Sequence, residues 1–255
     1  MKRITLSFAA LVVALTATAQ LEVKEIKLSN GMTVWLNEDH SQPKVFGAVV
    51  VRAGAKDCPN TGIAHYFEHI MFKGTDRMGT IDYAAEKPLL DSISAQYDLL
   101  SQTKDDAERS SIQKKINELS IKAADFAIPN EFNRLISKYG GSGLNAGTGY
   151  DMTYYHNEFL PQFIEQWCWL NSERLMNPVY RGFQGELENV YEEKNRSADG
   201  AGDAMEKIMG AVFKTQPYAY PILGSTESLK NPRLSDMADF YKKSYVALNM
   251  CLVLC

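Results

Sequence analysis

The chain has 255 residues, enough for one large domain or two small ones, with 45% apolar and 23% charged residues, as in soluble globular proteins. Its formal charge of −4 comes without a basic stripe, which argues against a nucleic-acid partner. Its four cysteines (Cys58, Cys168, Cys251 and Cys255) contain no CxxC pair, which argues against a cysteine zinc site and leaves three disulfide pairings open.

Lys2 and Arg3 precede an apolar run from Ile4 to Leu15 and then Ala17, Thr18 and Ala19, the order of a secretory signal peptide cut after Ala19. The run is short for a membrane span and no second long one follows, so the expected product is exported, periplasmic or secreted, with no integral membrane segment. Two basic residues leave with the signal, taking the charge from −4 to −6. The remaining domain is read as residues 20–255.

Leu21 to Ser29 and Met32 to Asn37 are short alternating runs around Asn30-Gly31, which predicts a hairpin with a type I′ turn. The nearly all-apolar Val45 to Ala53 predicts a central strand buried on both faces. His40, Lys56 and Asp57 read as solvated loop residues.

Next comes His65-Tyr66-Phe67-Glu68-His69. On a helix, His65 and His69 lie one turn apart on one face, where two imidazoles can share one metal ion, and Glu68 falls within reach of a water held there. The pattern H-x-x-E-H is the inverzincin signature.

Leu90, Ile93, Tyr97 and Leu100, then Ile112, Ile116, Leu119, Ala123 and Phe126, recur at spacings of three and four. They predict two antiparallel helices zipped along one seam, with Thr103 and Asp105 as N-caps. Tyr139-Gly140-Gly141-Ser142-Gly143-Leu144-Asn145-Ala146 is turn-rich, and Thr148 to His156 suits a strand, either an ordinary sheet member or one able to pair an extended peptide at a cleft edge. His156 reads as structural, and Cys168, between Trp167 and Trp169, as a core thiol.

Pro161 opens a helix with an apolar stripe through Leu160, Phe163, Ile164, Trp167, Leu170 and Leu175, ending near Asn177-Pro178. A carboxylate-rich helix follows, from about Gln184 to Ser197, with Glu186, Glu188, Glu192 and Glu193. Glu186 and Glu193, seven apart, share a face, and this helix offers the candidates for a third metal ligand. After the break Asp199-Gly200-Ala201-Gly202 come a short helix through Phe213, the loop of Pro217 and Pro221, and a helix from Ser235, its expected N-cap, to Tyr245. The chain then stops inside the strand-like Met250-Cys251-Leu252-Val253-Leu254-Cys255, which suggests the front part of something longer.

Together these segments resemble the pitrilysin/insulinase family of inverted zincins, which includes mitochondrial processing peptidases. The stretch Gly62 to Thr75 around the motif is the most specific; Gly140-Gly141 to Leu144-Asn145-Ala146, Thr153-Tyr155, Glu186 to Glu193, Pro217-Tyr218 to Gly224-Ser225 and Phe240-Tyr241 to Tyr245 support it. The resemblance implies an α+β fold, a mostly antiparallel sheet with helices packed on one face. It implies one Zn2+ held by His65, His69 and Glu193, with Glu68 as general base, Glu186 as a supporting carboxylate, and Asn145 and Ala146 on the strand that aligns a substrate peptide. The gap from His69 to Glu193 is longer than the family usually shows, and a helical hairpin inserted between about Glu86 and Pro129 accounts for the excess. Active family members carry a second homologous domain, in the same chain or a partner subunit, and nothing after Tyr245 supplies it here.

The expected activity is zinc-dependent endopeptidase cleavage of extended peptides or unfolded polypeptides. The alternative is a non-catalytic zinc-binding or chamber-forming half that presents peptide to a partner subunit.

Overall fold

The computed structural model describes residues 22–198 and 201–255; the signal peptide assigned to residues 1–19 and the break assigned at Asp199 and Gly200 lie outside them. Six strands, β1 (Val23–Lys27), β2 (Thr33–Asn37), β3 (Val45–Val51), β4 (Ser142–Thr148), β5 (Thr153–Phe159) and β6 (Met250–Leu254), form one sheet in the order β1-β2-β6-β3-β5-β4. Only β2 and β6 run parallel. Alternation along β3 and β5 puts Val49, Val51, Tyr155 and Phe159 on a fully buried face beneath the helices. The opposite face carries Trp35, Phe46 and Tyr154, each more than a third exposed. β3 is therefore central but covered on one face, not both: an apolar run reports strand neighbours as well as layers, and here β5 and β6 flank it.

The predicted β1–β2 turn is not type I′. The amide of Gly31 donates to Leu28 O, the Leu28 amide to Met32 O, and only Gly31 has positive φ (87°), the geometry of a longer turn closed by a left-handed glycine. The strand expected over Thr148 to His156 is two strands. The Gly149–Met152 turn joins them, and the glycine-rich segment before it is itself β4, with a bulge between Ser142 and Asn145 where Gly143 takes φ 63°.

The main helices are α1 (Ile63–Ile70), α2 (Tyr83–Gln102), α3 (Asp106–Ala124), α4 (Glu131–Lys138), α5 (Ile164–Met176), α6 (Phe183–Ala198), α7 (Ala201–Val212), α8 (Thr226–Lys230) and α9 (Leu234–Ser244). On α5 the stripe is buried at Trp167, Leu170 and Leu175, and the Trp167 ring stacks on Phe159. Ile164 is exposed, and the largest fully buried side chain there is one that the stripe did not predict, Arg174, whose guanidinium lies against the rings of Tyr155, Phe132 and Phe72.

α2 and α3 form the predicted hairpin, starting at Tyr83 rather than Glu86. Asp82 caps α2 by accepting from the Ala85 amide, and Pro88 near that end is tolerated. Asp105 caps α3 through the Glu108 amide, whereas Thr103 closes α2 instead, its hydroxyl bonded to Leu99 O. The hairpin leaves and rejoins the domain at one place, where the Ile81 amide donates to Phe126 O and the Ile128 amide to Gly79 O. Ser235 does not cap α9, which starts after Arg233; its hydroxyl is taken by Asp98 of the hairpin at 2.9 Å.

Lys56 and Asp57 are tied down rather than solvated: Lys56 Nζ reaches Asp151 at 2.8 Å and Asp57 accepts from the Gly54 amide. His40 is exposed, and His156 lies on the open sheet face between the rings of Phe46 and Tyr154. The four cysteines are free, and Cys168 is half-buried against the core. Among the described residues no helix is long and apolar enough to cross a membrane.

Candidate metal centre

Helix α1 is buried nearly all round: Ala64, His65, Tyr66, Phe67, Glu68 and Ile70 are all inside. This helix, which carries two imidazoles and a carboxylate, is held there by an aromatic nest in which Phe67 meets Phe240, Tyr241 and Tyr245 of α9 and its exit. At the helix start Gly62 has φ 72°, and a side chain there would meet Leu223 O, while Gly224 packs on Gly62 in turn. The Ser225 amide donates to Asn60 O. This is why the distant Pro217–Ser225 loop belongs to the site: it locks the entry of the motif helix.

One turn apart on α1, the imidazoles of His65 and His69 lie edge to face, with centroids 4.7 Å apart. Across from them α6 delivers Glu193, whose Oε2 is 3.5 Å from His65 Nε2 and 3.6 Å from His69 Nε2. These three ligand atoms converge as a group able to hold one metal ion. Tetrahedral zinc with bonds of ~2.0–2.1 Å sets its ligand atoms roughly 3.3 Å apart, so both the donor set and its spacing fit the ion. Glu193 is about half exposed, which leaves the solvent side of the triangle open. Glu192, one residue away, points elsewhere and pairs with Arg196 on the surface.

Glu186, two turns before Glu193, is buried and accepts from His69 Nδ1 at 3.1 Å. A carboxylate there fixes the tautomer and leaves Nε2 free for a metal. Burial alone would raise the Glu186 carboxyl, but hydrogen bonds from His69 and Lys73 hold it down to about 2. His65 has no such support: its Nδ1 is buried without a partner among the described residues, and burial, then His69, push it down to about 4. For His69 burial is outweighed by Glu186, Glu68 and Glu193, which raise it.

Glu68 is buried beside the histidines, and its Oε2 accepts from the Thr148 hydroxyl at 2.6 Å. Burial raises its carboxyl above the usual range despite that bond. Thr148 lies at the end of β4, the edge strand of the sheet. Ala146 shares the inner face with Thr148 and Tyr155, whereas Asn145 pairs with His156 on the open face, and its side chain accepts from the Ala146 amide. Asn145 can therefore serve the site only through its backbone. Sequence reasoning missed Thr148, Lys73 and the Tyr66 hydroxyl, which donates to Phe183 O at the start of α6. Period-two alternation from Ala146 would have found Thr148. No periodicity reports Lys73, because α1 ends before it.

No protein-family model matches the chain. Proteins described as uncharacterized zinc proteases from Rickettsia felis and Rickettsia bellii are each 23% identical over 231 residues, covering 89% of this chain and 44% of theirs. Among solved structures the fold matches a protease from Helicobacter pylori (TM-score 0.68, 18% identity, 91% of this chain and 46% of that one). It also matches pitrilysin (TM-score 0.63, 20% identity, 94% and 21%). The chain is similar to zinc proteases along most of its length, and its fold is that of pitrilysin-like peptidases. The inverted motif and its converging carboxylate agree with that likeness. This pitrilysin-type domain spans less than half the length of the curated relatives it matches.

Proposed function

We propose that this pitrilysin-type chain is the metal-bearing half of a zinc endopeptidase that cleaves extended peptides or unfolded polypeptides. The convergence of His65, His69 and Glu193 beside a buried Glu68, next to an open strand edge, carries the reading. Zn2+ bound by these three residues would polarise a scissile carbonyl and lower the pKa of a water toward ~7. The chain's own part follows from its geometry. Glu68, raised by burial and aimed by Thr148, takes a proton from the attacking water on a carboxylate oxygen and passes it to the leaving amine. Glu186 keeps Nδ1 of His69 protonated, so that Nε2 stays a donor to the metal. The outer edge of β4 around Asn145 and Ala146 receives the peptide as an added strand, the peptide taking the place of the Asn145 side chain on the Ala146 amide and setting its carbonyl near Glu68.

A second homologous domain, in the full-length protein or a partner subunit, would close over the peptide, in keeping with the chain's coverage of under half of its relatives. That coverage also supports the second reading, a half that binds zinc and presents peptide without cleaving it. The leader of Lys2 to Ala19 supports export to the periplasm or medium, tested by N-terminal sequencing of the fractionated mature protein. The main test is hydrolysis of a quenched-fluorescence peptide library by the purified chain, with zinc content measured and Glu68→Gln alongside. Cleavage lost in that variant supports the self-sufficient enzyme. Stoichiometric zinc without cleavage supports the presenting half, and no zinc at all refutes both.

A further inference from the structure

Glu186 is held from three sides. Its Oε2 faces His69 Nδ1, while its Oε1 receives the ammonium of Lys73 and, at 3.0 Å, the amide of Asn189. Lys73 lies just past the end of α1, and its backbone is pinned by Arg181. The guanidinium donates to Lys73 O at 2.8 Å, Thr75 O at 3.1 Å and Met78 O at 3.3 Å. Its charge is met by Glu86 of α2 through bonds of 2.5 and 2.7 Å, with Glu86 fully buried and Arg181 nearly so. A continuous path thus runs from Glu86 of the hairpin through Arg181 and Lys73 to Glu186 and His69.

We propose that Lys73 is a positioning residue of the zinc site: it orients and neutralises Glu186, so that Glu186 holds the His69 ring with Nε2 toward Glu193. The inference rests on the zinc-peptidase reading and deepens it. Charge supports it as well as geometry. Three carboxylates, Glu68, Glu186 and Glu193, surround the two imidazoles. A divalent ion and one ammonium bring that cluster to neutrality, whereas without Lys73 it keeps a surplus negative charge beside a buried carboxylate. An exposed Lys–Glu pair contributes little, but Glu186 is buried and Lys73 less than a third exposed, so this bond is not a surface decoration. The same path gives the hairpin a use, as a brace behind the metal site through Arg181.

The test is zinc affinity of the full chain, measured by competition with a chromophoric chelator. Lys73→Met should weaken zinc binding ~10-fold or more, the range seen when a group behind a metal ligand is removed. Lys73→Arg, which keeps the charge, should lose less. In a Glu186→Gln background Lys73→Met should add almost nothing, because its effect passes through Glu186. Circular dichroism of the metal-free variants checks folding, and Lys73→Gln replaces Lys73→Met if the latter is unfolded. Unchanged affinity in a folded Lys73 variant, or an equal loss in the Glu186→Gln background, overturns the inference while leaving the zinc site standing. A wild-type chain that takes up no zinc overturns both.

Discussion

The Arg181–Glu86 pair gives the sharpest stability prediction. Glu86 is fully buried and Arg181 is 5% exposed; the guanidinium has two bonds to the carboxylate and three to the carbonyls of Lys73, Thr75 and Met78. Glu86→Gln keeps the shape and one acceptor but removes the counter-charge, leaving a dry cation facing three carbonyl dipoles. Breaking a buried pair in this way costs ~3–5 kcal/mol, and the retained acceptor places this variant near the lower end. A loss of ~3 kcal/mol lowers the folding constant by roughly two orders of magnitude. It lowers the unfolding temperature by about 6 °C for a chain of this size. The assay is urea unfolding followed by circular dichroism, with a thermal scan alongside. Replacing both partners with apolar residues, Glu86→Leu with Arg181→Met, should recover part of the loss, since no charge is then left buried while the carbonyls of Lys73, Thr75 and Met78 lose their donor. A Glu86→Gln variant within about 1 kcal/mol of wild type, under the ~3–5 kcal/mol expected for a broken buried pair, would refute the reasoning.

Further outcomes follow from the site. His65→Ala should lose zinc, read by metal analysis after gel filtration, whereas Glu68→Gln should keep it and lose hydrolysis. Thr148→Val removes the bond that lowers the Glu68 carboxyl, so its pKa rises further and the acid limb of the kcat/KM profile should move to higher pH. Zinc affinity should fall as pH drops through the raised pKa of His69, where a proton competes for the ring, with a slope of one proton per zinc. The slope should steepen only near pH 4, where His65 begins to protonate, and chelator competition across a pH series measures both limbs. Gly62→Ala should destabilise the domain by ~1–2 kcal/mol from the left-handed backbone alone, seen in the unfolding midpoint, with more from the contact with Leu223 O.

The sequence by itself determined the local chemistry. Spacing of His65, Glu68 and His69 on a helix, the paired seams of the α2–α3 hairpin, and the two-turn interval from Glu186 to Glu193 all depend on helical periodicity, which needs no knowledge of neighbours. The ends of elements were less legible. Ser235 looked like a cap until Asp98, far away in sequence, claimed its hydroxyl, and the strand around Thr148 proved to be two strands joined by a turn.

Helical spacing alone did not separate Glu193 from Glu192; the family resemblance named Glu193, and the tertiary structure brings it, not Glu192, to the two histidines, because adjacent helical residues face different ways. It alone brought Thr148 to Glu68 across 80 residues and Lys73 to Glu186. It also buried Arg174 among three rings and Arg181 against Glu86, charges whose partners no sequence interval announces. The motif could be read because it lies within one turn of one helix. The groups that aim it were not legible, because orientation inside a packed domain is set by contacts between elements, and those exist only once the chain has folded.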